Sequence, residues 1–349
     1  MQIKDESKKL PFLIPQICTY PYFTALIAIL STEGKEQIWL YNNFILVWVM
    51  RNKYDIDYWI DFKFGNELIQ EEFCPMIEKV IVKREDITRM YGDLRNAIKQ
   101  MVNQDYYIMV SVDVFYVSRW WGNEKNRYHF RHQLCVHGYD YTRNVLFVSD
   151  FIEGKYSISE VDFDEFEKGY ANYEQYTPFE DFGKDIWLLS YKKEGEEEIN
   201  LRRIRDYIED FLQSKDAHVI NHIQLEKKES NYVFGLAIFD EIAEYLKMIK
   251  CKKEKSIDVR PFHLLIEMQK IMEWRFIYII NMYGISVDDL LEIIKKQCKD
   301  AEILKGLVIK YNIIGKVSII DTIVKRVSSF AVGTKEMLEK CLVILDSVI

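Results

Sequence analysis

The pattern of this chain predicts an α+β fold in two parts, a mixed strand-and-helix domain over residues 1–195 and a mostly helical domain over 196–349. Three observations carry that reading. Short β-rich runs alternate with helical patterns as far as DIWLLSYK. The stretch Lys192-Lys193-Glu194-Gly195-Glu196-Glu197-Glu198 then contains no apolar residue, and beyond it nearly every segment repeats at helical spacing. With 349 residues, 49% of them apolar and 14% aromatic, there is enough buried surface for a core in each part.

The first helix is announced by PQICTYPYFTALIAIL. Pro21 fits a first helical turn, where its missing N–H costs nothing, and Phe23, Leu26, Ile27 and Leu30 follow at helical spacing. Cys18 therefore sits at or just before a helix N-terminus. The partial positive charge and free N–H groups there favour thiolate over thiol and can hold a developing oxyanion.

Farther on, HQLCVHGYDYTRNVLFVSD reads as a hairpin. One strand covers 132–138, a second covers 145–151, and the turn falls near 140–144. A turn centred near 141 or 142 places Asp150 opposite or diagonal to His132, and both have the parity of one sheet face. The carboxylate can then accept the imidazole N–H. His137 has the other parity and is not chosen as the base. A thiol, a base and an orienting carboxylate make a nucleophilic set of Cys18, His132 and Asp150.

The helical part is read as segments at 199–212, 234–248, 261–283, 287–311, 317–330 and 334–348. Ser286 with Asp289 makes a capping box, and Gly284, Gly315 and Gly333 stand where helices should stop. The Met and aromatic stripe of FHLLIEMQKIMEWRFIYIINMYG is read as helix core. Lys250 to Lys255 and Arg202, Arg203 and Arg205 are read as solvated faces.

Several function classes lose support. A net charge of −8 argues against nucleic acid as the main partner, and neither GxGxxG nor GxxxxGK[ST] occurs. His129, His132, Cys135 and His137 cluster in sequence, yet strand parity sends them to different faces, so no metal is expected. No secretory signal opens the sequence, and FTALIAIL and FILVWVM are too short to cross a bilayer, so a soluble cytoplasmic protein is expected. The six cysteines, at 18, 74, 135, 251, 298 and 341, include no CxxC and are expected to be reduced thiols.

The run YYIMVSVDVFY, the Trp-rich loop after it, and the H-x5-GYD hairpin closing on Asp150 resemble the N-terminal domain of the butirosin biosynthesis protein H family. The stretches FIEGKYSISEVDFDEFEKGY, INLRRIRDYIEDFLQS and FGLAIFDEIAEYL extend the resemblance over most of the first 250 residues. That domain is similar to the papain-like peptidases that trim double-glycine leader peptides, and to the peptidase homologues of closthioamide-type assembly. The resemblance implies a papain-like catalytic domain and an acyltransferase of antibiotic biosynthesis. An acyl group would pass from the phosphopantetheine thioester of an acyl or peptidyl carrier protein, through a Cys18 acyl-enzyme, to a small amine such as a diamine or aminoglycoside, forming an amide.

The same resemblance implies Cys18 as nucleophile, His132 as base and Asp150 as orienting carboxylate, with no bound cofactor. The leader peptidases carry a glutamine about six residues before the cysteine as oxyanion donor, a position held here by Phe12, so Gln16 is the nearest substitute. Trp120, Trp121 and Tyr128 are expected to wall the acceptor pocket, and the basic helix faces are candidates for meeting an acidic carrier. A peptidase or amidase would use the same triad, and a scaffold protein could keep it idle.

Overall fold

The computed structural model describes residues 6–50, 62–64, 74–121, 127–152, 154–173, 184–195, 198–215, 232–254, 256–285 and 288–349. In chain order its elements begin with β1 (Ser7–Lys9), α1 (Pro21–Thr32), α2 (Glu36–Asn43), β2 (Val47–Met50), β3 (Phe62–Phe64) and β4 (Ile77–Lys83). Next come α3 (Arg84–Tyr91), α4 (Leu94–Asn103), β5 (Tyr107–Asp113), α5 (Ser118–Trp121), β6 (Arg131–Asp140), β7 (Val145–Ile152), β8 (Lys155–Asp162), α6 (Phe163–Ala171) and β9 (Asp185–Tyr191). The remainder are α7 (Leu201–Leu212), β10 (Tyr232–Phe234), α8 (Ile238–Lys252), α9 (Arg260–Tyr283), α10 (Asp288–Ile314) and α11 (Val317–Asp346). The fold is α+β. No helix among the described residues is long and apolar enough to cross a membrane.

Two units make up the chain: Met1–Glu36 with Cys74–Glu196, and Gln37–Phe73 with Glu197–Ile349. The contiguous division expected at residue 195 is therefore corrected at one segment. Gln37–Phe73 belongs with the second unit because β2 pairs antiparallel with β10, Val49 facing Val233. It is also held by Arg275 of α9, wholly buried, which donates to the carbonyls of Tyr41 (2.7 Å), Leu40 (3.2 Å) and Phe44 (3.0 Å). Those carbonyls lie at and just past the end of α2, where a helix leaves acceptors to be satisfied, and a guanidinium with its fork of donors serves them.

The first unit is built on an antiparallel sheet in the order β4-β9-β5-β6-β7-β8, with β1 added to β6. All seven residues of β5 are buried, as expected of a strand covered on both faces. Alternation separates the two faces. Trp187, Met109, Cys135 and Ser149 lie in register on one of them, and there Tyr22 of α1 meets the Trp187 ring edge-on at 5.1 Å. Ile108, Val110, Val136 and Ile186 lie on the other, against Ile98 and Met101 of α4 and Phe166 of α6.

The second unit packs α7 to α11 with the small sheet β10-β2-β3, so it is less purely helical than its sequence suggests. Gly284 and Gly315 do end helices in the left-handed region, at φ 64° and 69°. Ser286 lies outside the described residues. Gly333 does not stop a helix: α11 runs unbroken from Val317 to Asp346, correcting the two segments expected there. A Cβ at Gly333 would overlap the side-chain amide of buried Gln297 on α10, so this glycine serves close helix approach. Two of the basic side chains are already paired, Arg205 with Glu209 (2.6 Å) and Asp346 (2.8 Å), and Lys250 with Asp321 (2.6 Å).

Candidate active site

The β6–β7 hairpin sets the site. Its turn is closed by Asp140, which accepts from the Arg143 amide at 3.1 Å, and by Asn144 in the left-handed region at φ 56°. The ladder runs from Asp140 facing Val145 to Gly138 facing Phe147. A bulge between Val136 and Gly138 then shifts it by one residue, leaving Cys135 facing Ser149. Continued outward, that register puts Asp150 diagonal to His132 on the same face. His132 Nε2 and Asp150 Oδ1 lie 2.9 Å apart, and the Phe151 amide donates to the same oxygen at 2.7 Å.

Asp150 is buried at 1% exposure, and burial pushes its carboxyl above the ordinary value while the neighbouring imidazole pulls it the other way. With Nε2 facing the carboxylate, Nδ1 is the ring atom left to exchange a proton with another group. An aromatic loop covers the imidazole. Trp120 lies 4.4 Å from it between ring centres, and Phe130 stacks at 5.7 Å with an interplanar angle of 30°.

That loop is pinned at both ends by Asp113. One carboxylate oxygen accepts from the amides of Phe115 (3.0 Å) and Phe130 (3.1 Å), and the other lies 2.6 Å from His129 Nδ1. Glu165 of α6 accepts from the Ser118 amide and hydroxyl at 2.8 and 2.7 Å, and Arg119 Nε donates to Ser159 Oγ at 2.8 Å. Trp121 is an internal peg, not a pocket wall. It is buried, and its indole N–H donates to the Val114 carbonyl at 2.7 Å. Tyr128 is exposed and meets the edge of Trp121 at 4.6 Å.

Cys18 is half-buried in the loop that leads into α1. Earlier in that loop Phe12 is buried and stacks on His137 at 4.8 Å, and the Tyr107 hydroxyl donates to the Pro11 carbonyl at 2.5 Å. Gln16 is exposed. Burial, and after it the charges of Cys135, Asp150 and Cys18, hold the Tyr156 phenol well above its ordinary value. The described contacts of the His132 ring are Asp150, Trp120 and Phe130. The thiol is not among them. Thus the hairpin brings His132, Asp150 and Trp120 together, whereas Cys18 arrives from the layer of α1.

His129, His132, Cys135 and His137 go to separate surroundings, namely Asp113, Asp150, the strand position facing Ser149, and the Phe12 ring. Asp113 reads from sequence as a strand carboxylate that caps a hydrogen-bond network, as it does here, but its pairing with His129 and the buried polar residues Ser111 and Gln133 do not stand out there. A signal was present, since polar residues in a strand as apolar as YIMVSVD stand where only buried positions are available. No protein-family model matches the chain, and no curated protein matches it in sequence.

Proposed function

We propose that this chain is a cysteine-dependent acyltransferase of specialised-metabolite biosynthesis, with a papain-like catalytic unit. It would take an acyl or peptidyl group from the phosphopantetheine thioester of a carrier protein and deliver it to a small amine. The observation that carries the reading is the His132–Asp150 pair, a buried carboxylate on a solvent-reachable imidazole, capped by Trp120. The resemblance of the hairpin and the Trp-rich loop to the butirosin protein H family supports it.

The chemistry follows from the groups present. The Cys18 thiol passes its proton to His132 Nδ1, and the thiolate attacks the thioester carbonyl. An S–C bond forms, the C–S bond to pantetheine breaks, and the departing thiolate takes the proton from the imidazolium. Exchange of one thioester for another is nearly isoenergetic. The amine then attacks the acyl-enzyme, gives its proton to Nδ1, and expels Cys18. Amide formation makes the second step downhill. Indole and phenyl rings against the base reduce the water that could compete for the acyl-enzyme.

Intact-protein mass spectrometry tests this. Mixing with an acyl-loaded carrier should add one acyl group at Cys18, and a diamine or aminoglycoside should clear it as an amide. An adduct that forms equally in Cys18→Ala sinks the proposal. Clearance by water as fast as by amine would favour a peptidase or amidase.

A further inference from the structure

We infer that Arg119 is a specificity-determining residue beside His132, and that the amine accepted there carries a carboxylate which this guanidinium binds. The inference rests on the proposed transfer to an amine for one end of that ligand; Arg119 defines the other. Arg119 belongs to α5, and the next residue in that turn, Trp120, lies 4.4 Å from the His132 ring between ring centres. Its side chain is exposed yet held at one point, because Nε donates to the hydroxyl of buried Ser159 at 2.8 Å. The turn is itself anchored, by Glu165 on the Ser118 amide and hydroxyl and by the Trp121 indole on the Val114 carbonyl.

A guanidinium seated through Nε presents its two terminal nitrogens as a ready fork, and among the described residues no carboxylate takes them. Glu160, next to Ser159, is taken by both terminal nitrogens of Arg143, at 3.0 and 2.5 Å. Two parallel N–H donors at a fixed spacing match the two oxygens of a carboxylate.

The β7–β8 ladder sets this fork beside the base. Asp150 faces Ser157 and Val148 faces Ser159, so Asp150 and Ser159 are diagonal neighbours on one face, about 7–8 Å apart. The imidazole stands on Asp150 and the guanidinium on Ser159. A molecule bridging them sets an amine against Nδ1 and a carboxylate against the fork. Two hydrogen bonds of about 3 Å take up part of a separation of that order, which leaves a short chain, on the order of three methylenes, between amine and carboxylate. Trp120, between Arg119 in sequence and the imidazole in space, gives those methylenes an apolar surface.

4-Aminobutyrate and n-butylamine test this, read by the His132 imidazole resonances of protein labelled with ¹³C-histidine and assigned by their loss in His132→Gln. 4-Aminobutyrate should bind about 10- to 100-fold more tightly than butylamine, the range for hydrogen bonds to a charged partner. In Arg119→Gln that advantage should vanish while butylamine affinity stays within about twofold, and Ser159→Ala, which frees Nε, should lose part of it. Because Arg119 is exposed, Arg119→Gln should keep the unfolding temperature of the parent, so the lost preference reports recognition and not folding. Equal affinity of the parent for the two amines overturns the assignment, and so does a preference that survives in Arg119→Gln. The binding needs no thiol and should be the same in Cys18→Ala. Acylation of Cys18 by a loaded carrier without an Arg119-dependent preference would therefore sink this inference alone, and the preference without acylation would sink the acyltransferase reading alone.

Discussion

His132 and Asp150 divide their work unequally. The imidazole must exchange a proton in both half-reactions, whereas the carboxylate holds the ring through Nε2 and never leaves its buried position. His132→Ala should therefore abolish acylation of Cys18, while Asp150→Asn should keep a residue of it, about 10²- to 10⁴-fold down, in single-turnover mass spectrometry. Among the other thiols, Cys74, Cys135 and Cys341 are buried, and burial pushes the Cys135 and Cys298 thiols up to about 12. Cys251 is exposed and is the competitor. At neutral pH, iodoacetamide should label Cys18 ahead of Cys251, and peptide mapping that finds the reverse order would remove Cys18 from the site.

His137 supplies a pH dependence of another kind. Burial, with a smaller push from the Lys9 charge, brings its imidazole down to about 4 from the ordinary 6.5. The folded protein thus holds His137 neutral where the unfolded chain would bind a proton. Its contribution to stability is complete above about pH 6.5 and drains away as the pH falls toward 4, a loss of up to about 3 kcal/mol. Unfolding midpoints should fall through that window, and His137→Phe, which keeps the stack on Phe12, should flatten the slope.

At the scale of elements, Gly333 makes a sharp case. Alanine in place of glycine inside an exposed helix stabilises by about 1 kcal/mol through propensity alone. Here the added Cβ overlaps the Gln297 amide, and overpacking costs about 1–3 kcal/mol, so Gly333→Ala should lower the denaturation midpoint. In a Gln297→Ala background the same change should turn neutral or stabilising, since the obstacle is gone. Helical periodicity was legible on either side of Gly333, but a glycine that stops a helix and one that admits a neighbour look alike in a single sequence, and one helix is read as two. Gly284 and Gly315 were the first kind and Gly333 the second.

The hairpin was legible for a firmer reason, because parity and turn length fix which residues share a face. That brought out the His132–Asp150 contact. The bulge at His137 shifted the register by one and left Asp150 diagonal, not opposite. Trp121 was misjudged because an indole gives no sign from sequence whether its N–H finds a backbone carbonyl, as it does at Val114. Gln133 does not stand out in the sequence because a buried amide that lacks a hydrogen-bond partner among the described residues shows only in the packing.

Across the whole molecule the exchange of Gln37–Phe73 was hidden, since pairing between β2 and β10 leaves no trace in either strand alone. Residues 1–195 expressed alone should be insoluble, because Val47, Trp48 and Val49 are then without β10 and α2 without Arg275. Coexpression with 196–349 should restore soluble protein if the fragments reassociate, and sedimentation of the soluble fraction would read the outcome.

The β2–β10 pairing also imposes a schedule on synthesis. Val49 leaves the ribosome about 180 residues before Val233, which at about 5–20 residues per second is a wait of roughly 10–40 seconds, and Arg275 comes later still. For that interval Val47, Trp48 and Val49 can pair with β3 on one edge, while the edge that β10 will cover stays open. Hydrophobic edges of this kind are what chaperones bind. The yield of folded protein should therefore depend on translation speed between codons 50 and 275 and on chaperone supply, more than on the equilibrium stability of the finished chain.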